Sequence, residues 1–139
     1  MSMILFNDPR VVHFVAQSVG STDCSATASI GVEEGGKVVA GVVYDNFNGA
    51  NIFIHFTVAQ GYQICRGFLR LVFGYAFDCL KAKRITGAFS SANEKVRRFG
   101  ERLGFQFETL LKDAAPDGDL MFYTLRREQC RFVGKKVEV

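Results

Sequence analysis

His55 sits in the run I-F-I-H-F-T-V, where an imidazole with an ordinary pKa of about 6.5 is matched to proton transfer near neutral pH. The same residue also reads as a half-buried histidine hydrogen-bonded within a sheet, and the sequence leaves both readings open. Glu33 and Glu34, ahead of Gly35-Gly36, are further groups able to take a proton, although charges beside a turn are commonly just solvated. Arg66, in the segment G-Y-Q-I-C-R-G over 61–67, carries a planar guanidinium that can hold a phosphate through two parallel hydrogen bonds. Arg97, Arg98 and Arg102 are a second cationic group, whose plainer reading is the solvated face of a helix. No metal chemistry is indicated. The four cysteines, Cys24, Cys65, Cys79 and Cys130, are far apart, His13 has no carboxylate at a ligand spacing, and Asp117-Gly118-Asp119 reads as a turn rather than a calcium loop.

The elements that must hold these groups are legible to different degrees. Residues 93–105, N-E-K-V-R-R-F-G-E-R-L-G-F, have the chemistry of a complete helix: Asn93 caps the first turn, Glu94 suits its positive end, and Val96, Phe99 and Leu103 share a face. Gly104 then takes the left-handed conformation that ends it. On this spacing Phe99 is core packing and Asn93 a cap that needs no ligand. Residues 52–58 alternate Ile52, Ile54, Phe56 and Val58 against Phe53, His55 and Thr57, with β-branched and aromatic side chains on both sides, which predicts a central strand covered on both faces. Apolar residues from 64 to 83 recur at helical spacing, and 84–90 reads as the next strand. Upstream, Asp8-Pro9 starts a helix that carries Val11, Val12, Phe14, Val15 and Val19 as far as Gly20, and a polar loop over 21–27 follows. Strands at 28–32 and 38–44 flank a hairpin turn, and a second turn covers 46–51. Downstream, strands at 106–112 and 120–126 flank the turn D-A-A-P-D-G-D over 113–119. The predicted order is helix, hairpin, strand, helix, strand, helix, hairpin, in a single domain over 1–133 with a short tail at 134–139.

Composition limits the class. A chain of 139 residues, 48% of them apolar and 14 of them phenylalanine, has enough material for one real core without disulfide staples, so the cysteines are expected as thiols in a reducing cytoplasm. The net charge of +3 is mild and the basic residues are scattered, so nucleic-acid binding is not indicated. Asn7, Asp8 and Arg10 interrupt the apolar start against a signal peptide, and no run approaches the roughly twenty apolar residues needed to span a bilayer.

The helix and strand order, the ungapped match from Phe68 through Phe105, and above all the Asn93-led helix closing on Leu103-Gly104-Phe105 resemble the GCN5-related N-acetyltransferase (GNAT) superfamily over about 28–127. Tyr75-Ala76-Phe77, Arg84-Ile85-Thr86-Gly87, Arg98-Phe99, the 113–119 turn and Arg127-Glu128 with Cys130-Arg131 further resemble small GNAT-like proteins common in bacteriophage and prophage genomes. The resemblance implies an α+β domain: a central, mostly antiparallel sheet with a splayed strand pair and helices on both faces. It implies acetyl-CoA as co-substrate, with Phe56 and Val58 on the strand that pairs with the pantetheine arm, and the pyrophosphate held at 61–67 by Gln63, Ile64, Cys65, Arg66 and Gly67. Asn93 and Phe99 fall at positions that order or contact the cofactor in the family.

Two departures from the family pattern bear on chemistry. The usual loop has Gln or Arg, two residues, Gly, one residue, then Gly or Ala, whereas here the glycines stand at the ends of the segment. The tyrosine that commonly protonates the departing thiolate would align at Gly100, which leaves Tyr123, Cys65 or a water as donor. His55 is the base candidate for an amine attacking the thioester. The two functional readings are an acyl-CoA-dependent N-acyltransferase with a small amine or protein acceptor, and a catalytically inactive GNAT-fold module that binds a protein partner. The family often forms homodimers, and the sequence leaves pairing open.

Overall fold

A computed structural model describes residues 2–19 and 28–134. The expected loop at 21–27, the helix stop at Gly20 and residues 135–139 of the expected tail lie outside the described residues. Among those described, no helix is long and apolar enough to cross a membrane.

The elements are β1 (Ser2–Phe6), α1 (Pro9–Val19), β2 (Ala28–Glu34), β3 (Lys37–Asp45), β4 (Asn51–Val58), α2 (Arg66–Gly74), β5 (Arg84–Ser90), α3 (Glu94–Leu103), β6 (Gln106–Ala115) and β7 (Gly118–Arg126). They build one seven-stranded sheet in the order β1-β2-β3-β4-β5-β7-β6. Every neighbouring pair is antiparallel except β4 and β5, which run parallel. This is the mixed, mostly antiparallel α+β architecture that the family resemblance implies.

One strand was not expected. Ser2–Phe6 pairs with β2 from Ser2 opposite Glu34 to Phe6 opposite Ile30, and Asn7 ends it with a positive φ of 51°. The Asn7 side chain accepts a hydrogen bond from the Ser29 amide at 2.9 Å, locking the turn into α1. Five residues are too few to show a period, which is why this stretch reads from sequence only as an apolar start. The predicted 113–119 turn is also tighter than expected, because β6 and β7 continue until Ala115 pairs with Gly118.

Alternation along the strands sorts the helices onto two faces. Gly31 of β2 lies opposite Gly41 of β3, and Val11 and Val15 of α1 rest on this flat strip. The opposite face of the same strands presents Ile30, Val32, Val42 and Tyr44, all buried beneath α2, whose Val72 carbonyl accepts from the Tyr44 hydroxyl at 2.6 Å. The helix predicted over 64–83 is shorter: α2 widens at Tyr75–Cys79 into a π turn, in which Leu80 N–H bonds to the Tyr75 carbonyl, and Lys81 then adopts a left-handed φ of 58°. Beneath α2 the core crosses from β4 to β7 through Ile52, Ile85 and Leu125. Phe73 joins them by stacking on Phe132 at 5.4 Å and meeting Phe105 at 6.2 Å. Burial of each such side chain stabilises the fold by about 1.5–3 kcal/mol.

α3 forms as its residues predict. The Asn93 side chain accepts from the Val96 amide at 3.3 Å. At the other end Gly104 N–H bonds to the Glu101 carbonyl and Phe105 N–H to that of Gly100, the two bonds of a Schellman closure around Gly104 at φ 108°. Leu103 is buried, Phe99 half-buried, and Val96 is exposed rather than sharing in the core.

Candidate functional site

The one parallel junction of the sheet is incomplete. Asn51, Ile52 and Phe53 pair with Arg84, Ile85 and Thr86, and there the ladder stops. β4 continues to pair with β3 as far as Val58 opposite Ala40, and β5 continues with β7 as far as Ser90 opposite Leu120. Among the described residues, 54–58 therefore have no strand partner on the β5 side, so a wedge opens between the two strands with unpaired backbone groups along one wall. Such an edge is suited to an extended ligand that carries its own amides. A polar knot closes the root: the Asn51 side-chain oxygen accepts from Thr86 Oγ1 and Arg84 Nε, and Arg84 is held in turn by both carboxylate oxygens of Glu108.

Beside the wedge, on the α2 face, lie most of the residues that the sequence suggested for cofactor binding. Ala59 to Tyr62 form a turn with Gly61 at φ 83°, and Cys65 stands extended as the N-cap of α2 without a side-chain cap bond. The first-turn N–H groups of α2 are thus left to an outside acceptor, at the positive end of the helix. Gln63, Cys65, Arg66 and Gly67 are exposed there and Ile64 is half-buried. Arg70, exposed one turn after Arg66, adds a second cation that the loop-based reading passed over and that an i, i+4 count from Arg66 would have found. Phe56 projects onto this face, edge-on to Phe68 at 6.2 Å and to Phe99 at 5.2 Å. Val58 is half-buried at the end of the strand, and the Asn93 side chain is occupied as the α3 cap.

His55 projects onto the opposite face, as the alternation predicts. Its Nε2 lies 3.0 Å from Asp45 Oδ2, with both side chains partly open to solvent. Two residues along, Thr57 Oγ1 is buried with no hydrogen-bond partner among the described residues. Tyr123 is on the α2 face, on the strand beside Gly87, which is the first β5 residue beyond the closed part of the ladder. Its ring is buried against Phe89 and Phe107, and its hydroxyl donates to Glu101 Oε2 at 3.0 Å. Burial, and then the neighbouring Glu101 carboxylate, hold the phenol above its ordinary pKa, so it keeps its proton at neutral pH.

Several other candidates are engaged elsewhere. Glu33 is paired with Arg10 at 2.6 Å and Glu34 accepts from Ser2 of β1 at 2.8 Å. Arg97 and Arg98 bind Glu94 of their own helix at 3.2 and 3.1 Å. Together with Lys95, Glu101 and Arg102, Glu94 and Arg98 line a shallow depression of about 730 Å³ on the outer face of α3. The partner of His55 was missed from sequence: Asp45 ends a strand ten residues earlier, and only the β3/β4 register brings the two together.

A mixed sheet opened between its one parallel pair, with a helix N-terminus beside the opening, is the GNAT fold, and comparison with solved structures shows the same. A spermidine N-acetyltransferase from Vibrio cholerae superimposes with a TM-score of 0.71 at 15% identity, over 89% of this chain and 94% of that one. A probable acetyltransferase aligns with a TM-score of 0.62 at 25% identity over 72% of this chain, which spans 62% of that protein's length. A ribosomal-protein-S5-alanine acetyltransferase from Vibrio fischeri aligns with a TM-score of 0.61 at 19% identity, over 75% of this chain and 63% of that one. No protein-family profile and no curated protein matches the chain.

Proposed function

We propose that the chain is an acyl-CoA-dependent N-acyltransferase, with acetyl-CoA as donor and an amine as acceptor. The observation that carries this reading is the β4/β5 wedge with its unpaired edge beside the uncapped N-terminus of α2. A pantetheine arm fits the edge as a substitute strand, in contact with Phe56 and Val58. The pyrophosphate fits the α2 end, where Gln63, Ile64, Cys65, Arg66 and Gly67 offer N–H groups and Arg66 adds a bidentate cation. Asn93 and Phe99 flank the same side. The wedge connects the two faces of the sheet, so a thioester within it is open to an amine arriving on the His55 face. His55 takes the amine proton, β4 backbone N–H groups receive the oxyanion, and the thiolate leaves with the proton of Tyr123. The spermidine N-acetyltransferase among the structural neighbours makes spermidine the first probe of an acceptor. The phage resemblance rests on the sequence motifs quoted for it.

Calorimetric titration with acetyl-CoA tests the reading. Binding is expected, and Arg66→Ala should weaken it about tenfold or more, the worth of one charge-assisted phosphate contact. Absence of binding at millimolar cofactor would sink the proposal. One observation favours the second reading, a binding module without catalysis: Phe56 and Phe99 meet across the α2 side of the wedge, so the contact must part before an arm can lie there.

A further inference from the structure

Among the described residues, His55 makes one side-chain hydrogen bond, from Nε2 to Asp45 Oδ2 at 3.0 Å. An ionised carboxylate only accepts, so the ring nitrogen facing it must carry the hydrogen. In the neutral imidazole the other nitrogen, Nδ1, is then the lone-pair site. It has no partner among the described residues and is not among their sealed, unpartnered atoms, which are Ser29 Oγ, Thr57 Oγ1 and Arg127 Nε. Asp45 is well fixed for such a role. It closes β3 opposite Phe53, the last residue of β4 that pairs with β5, and so stands beside the point where the wedge begins.

We infer that Asp45 is the positioning residue of the transfer reaction: it holds His55 as the Nε2–H tautomer and thereby presents Nδ1 as the base. The inference rests on the acyltransferase reading. In the step itself the amine nitrogen forms its bond to the thioester carbon, and the C–S bond breaks with its electron pair on sulfur. The amine proton passes to Nδ1, which leaves an imidazolium whose Nε2–H remains on the Asp45 carboxylate. Asp45 never takes the proton, and its negative charge opposes the positive charge that develops on the ring. The base therefore acts from the face of the sheet opposite the α2 N-terminus, and the amine it serves approaches from that side.

The test reads the tautomer apart from the reaction. Long-range proton–nitrogen NMR spectra of histidine-labelled protein, with His13→Gln to assign the two rings, should show neutral His55 with a protonated Nε2 and a bare Nδ1. Asp45→Asn can turn its amide N–H₂ toward Nε2 and should shift the population to Nδ1–H. With spermidine as probe, the same variant should lose about 10²-fold or more in kcat while its acetyl-CoA affinity stays within twofold. A bare Nε2 in the parent protein, or an unchanged tautomer in Asp45→Asn, overturns the inference whatever the activity. A changed tautomer with unchanged kcat overturns the positioning role. A parent protein that shows the expected tautomer but binds no acetyl-CoA overturns the acyltransferase reading beneath it.

Discussion

The seat of α1 on the sheet can be disturbed by a single methyl group. Gly31 is in an ordinary strand conformation, yet a Cβ built there would stand 2.5 Å from Val11 Cγ2, 3.1 Å from Val11 Cγ1 and 3.1 Å from the Ala40 carbonyl oxygen. Carbon atoms in contact prefer about 3.5–4.0 Å, so Gly31→Ala asks Val11 or its helix to retreat by roughly 1 Å. Val11 is fully buried and β-branched, and a valine in a helix has essentially one χ1 rotamer, so the displacement falls on α1 as a whole. Overpacking of this kind costs about 1–3 kcal/mol. With a urea dependence of about 1–3 kcal/mol per molar, the unfolding midpoint should fall by roughly 1 M at unchanged slope. The decisive assay is a double-mutant cycle in urea, followed by circular dichroism. Val11→Ala should destabilise the protein by removing buried methyl groups, but Gly31→Ala added to it should cost little, which gives a coupling of about 1–2 kcal/mol. Full additivity of the two changes, or a Gly31→Ala protein as stable as the parent, would refute the proposed helix seat.

Asn93→Ala removes the cap of α3 and should cost about 1 kcal/mol, seen as a fall in melting temperature of about 3–5 °C; an unchanged melt would mean that the 3.3 Å bond to Val96 contributes nothing. Tyr123→Phe should lower kcat about 10²-fold while leaving acetyl-CoA affinity alone, and an unchanged kcat would assign the donor role to water. In the parent protein Tyr123 ionises above the ordinary phenol value of about 10. Its contribution to stability is therefore fully present below pH ~10 and is lost as the pH rises through the folded value, and Tyr123→Phe should remove that part of the alkaline loss.

Local chemistry was readable where one residue type has one physical role. The Asn93 cap, the Gly104 closure and the 84–90 strand all stand where the residues place them, and the alternation in 52–58 correctly puts His55 and Phe56 on opposite faces. What was not readable depends on register or on edges. β1 is a five-residue edge strand identifiable only through its partner β2, and the shortening of α2 comes from the π turn and the left-handed Lys81, neither of which has a sequence signature. Among the candidate site residues, the tie between His55 and Asp45 and the one between Tyr123 and Glu101 each join positions ten or more residues apart. Spacing along the chain carries no trace of either. The loop glycines also misdirect attention, because the open N–H groups of α2 depend on the extended Cys65 and not on Gly61 or Gly67.

Among the described residues, three residue pairs knit β1–β4 to β5–β7 within the sheet, with α2 and its phenylalanines bolted across the back. The shortest ladder of the sheet is therefore also its proposed ligand slot. A ligand filling that slot would supply the missing rungs and act as a thermodynamic staple between two half-sheets, so its binding should be felt far beyond its contacts. Amide hydrogens on both sides of the seam would slow their exchange together, in the manner of a zip drawn closed from one end.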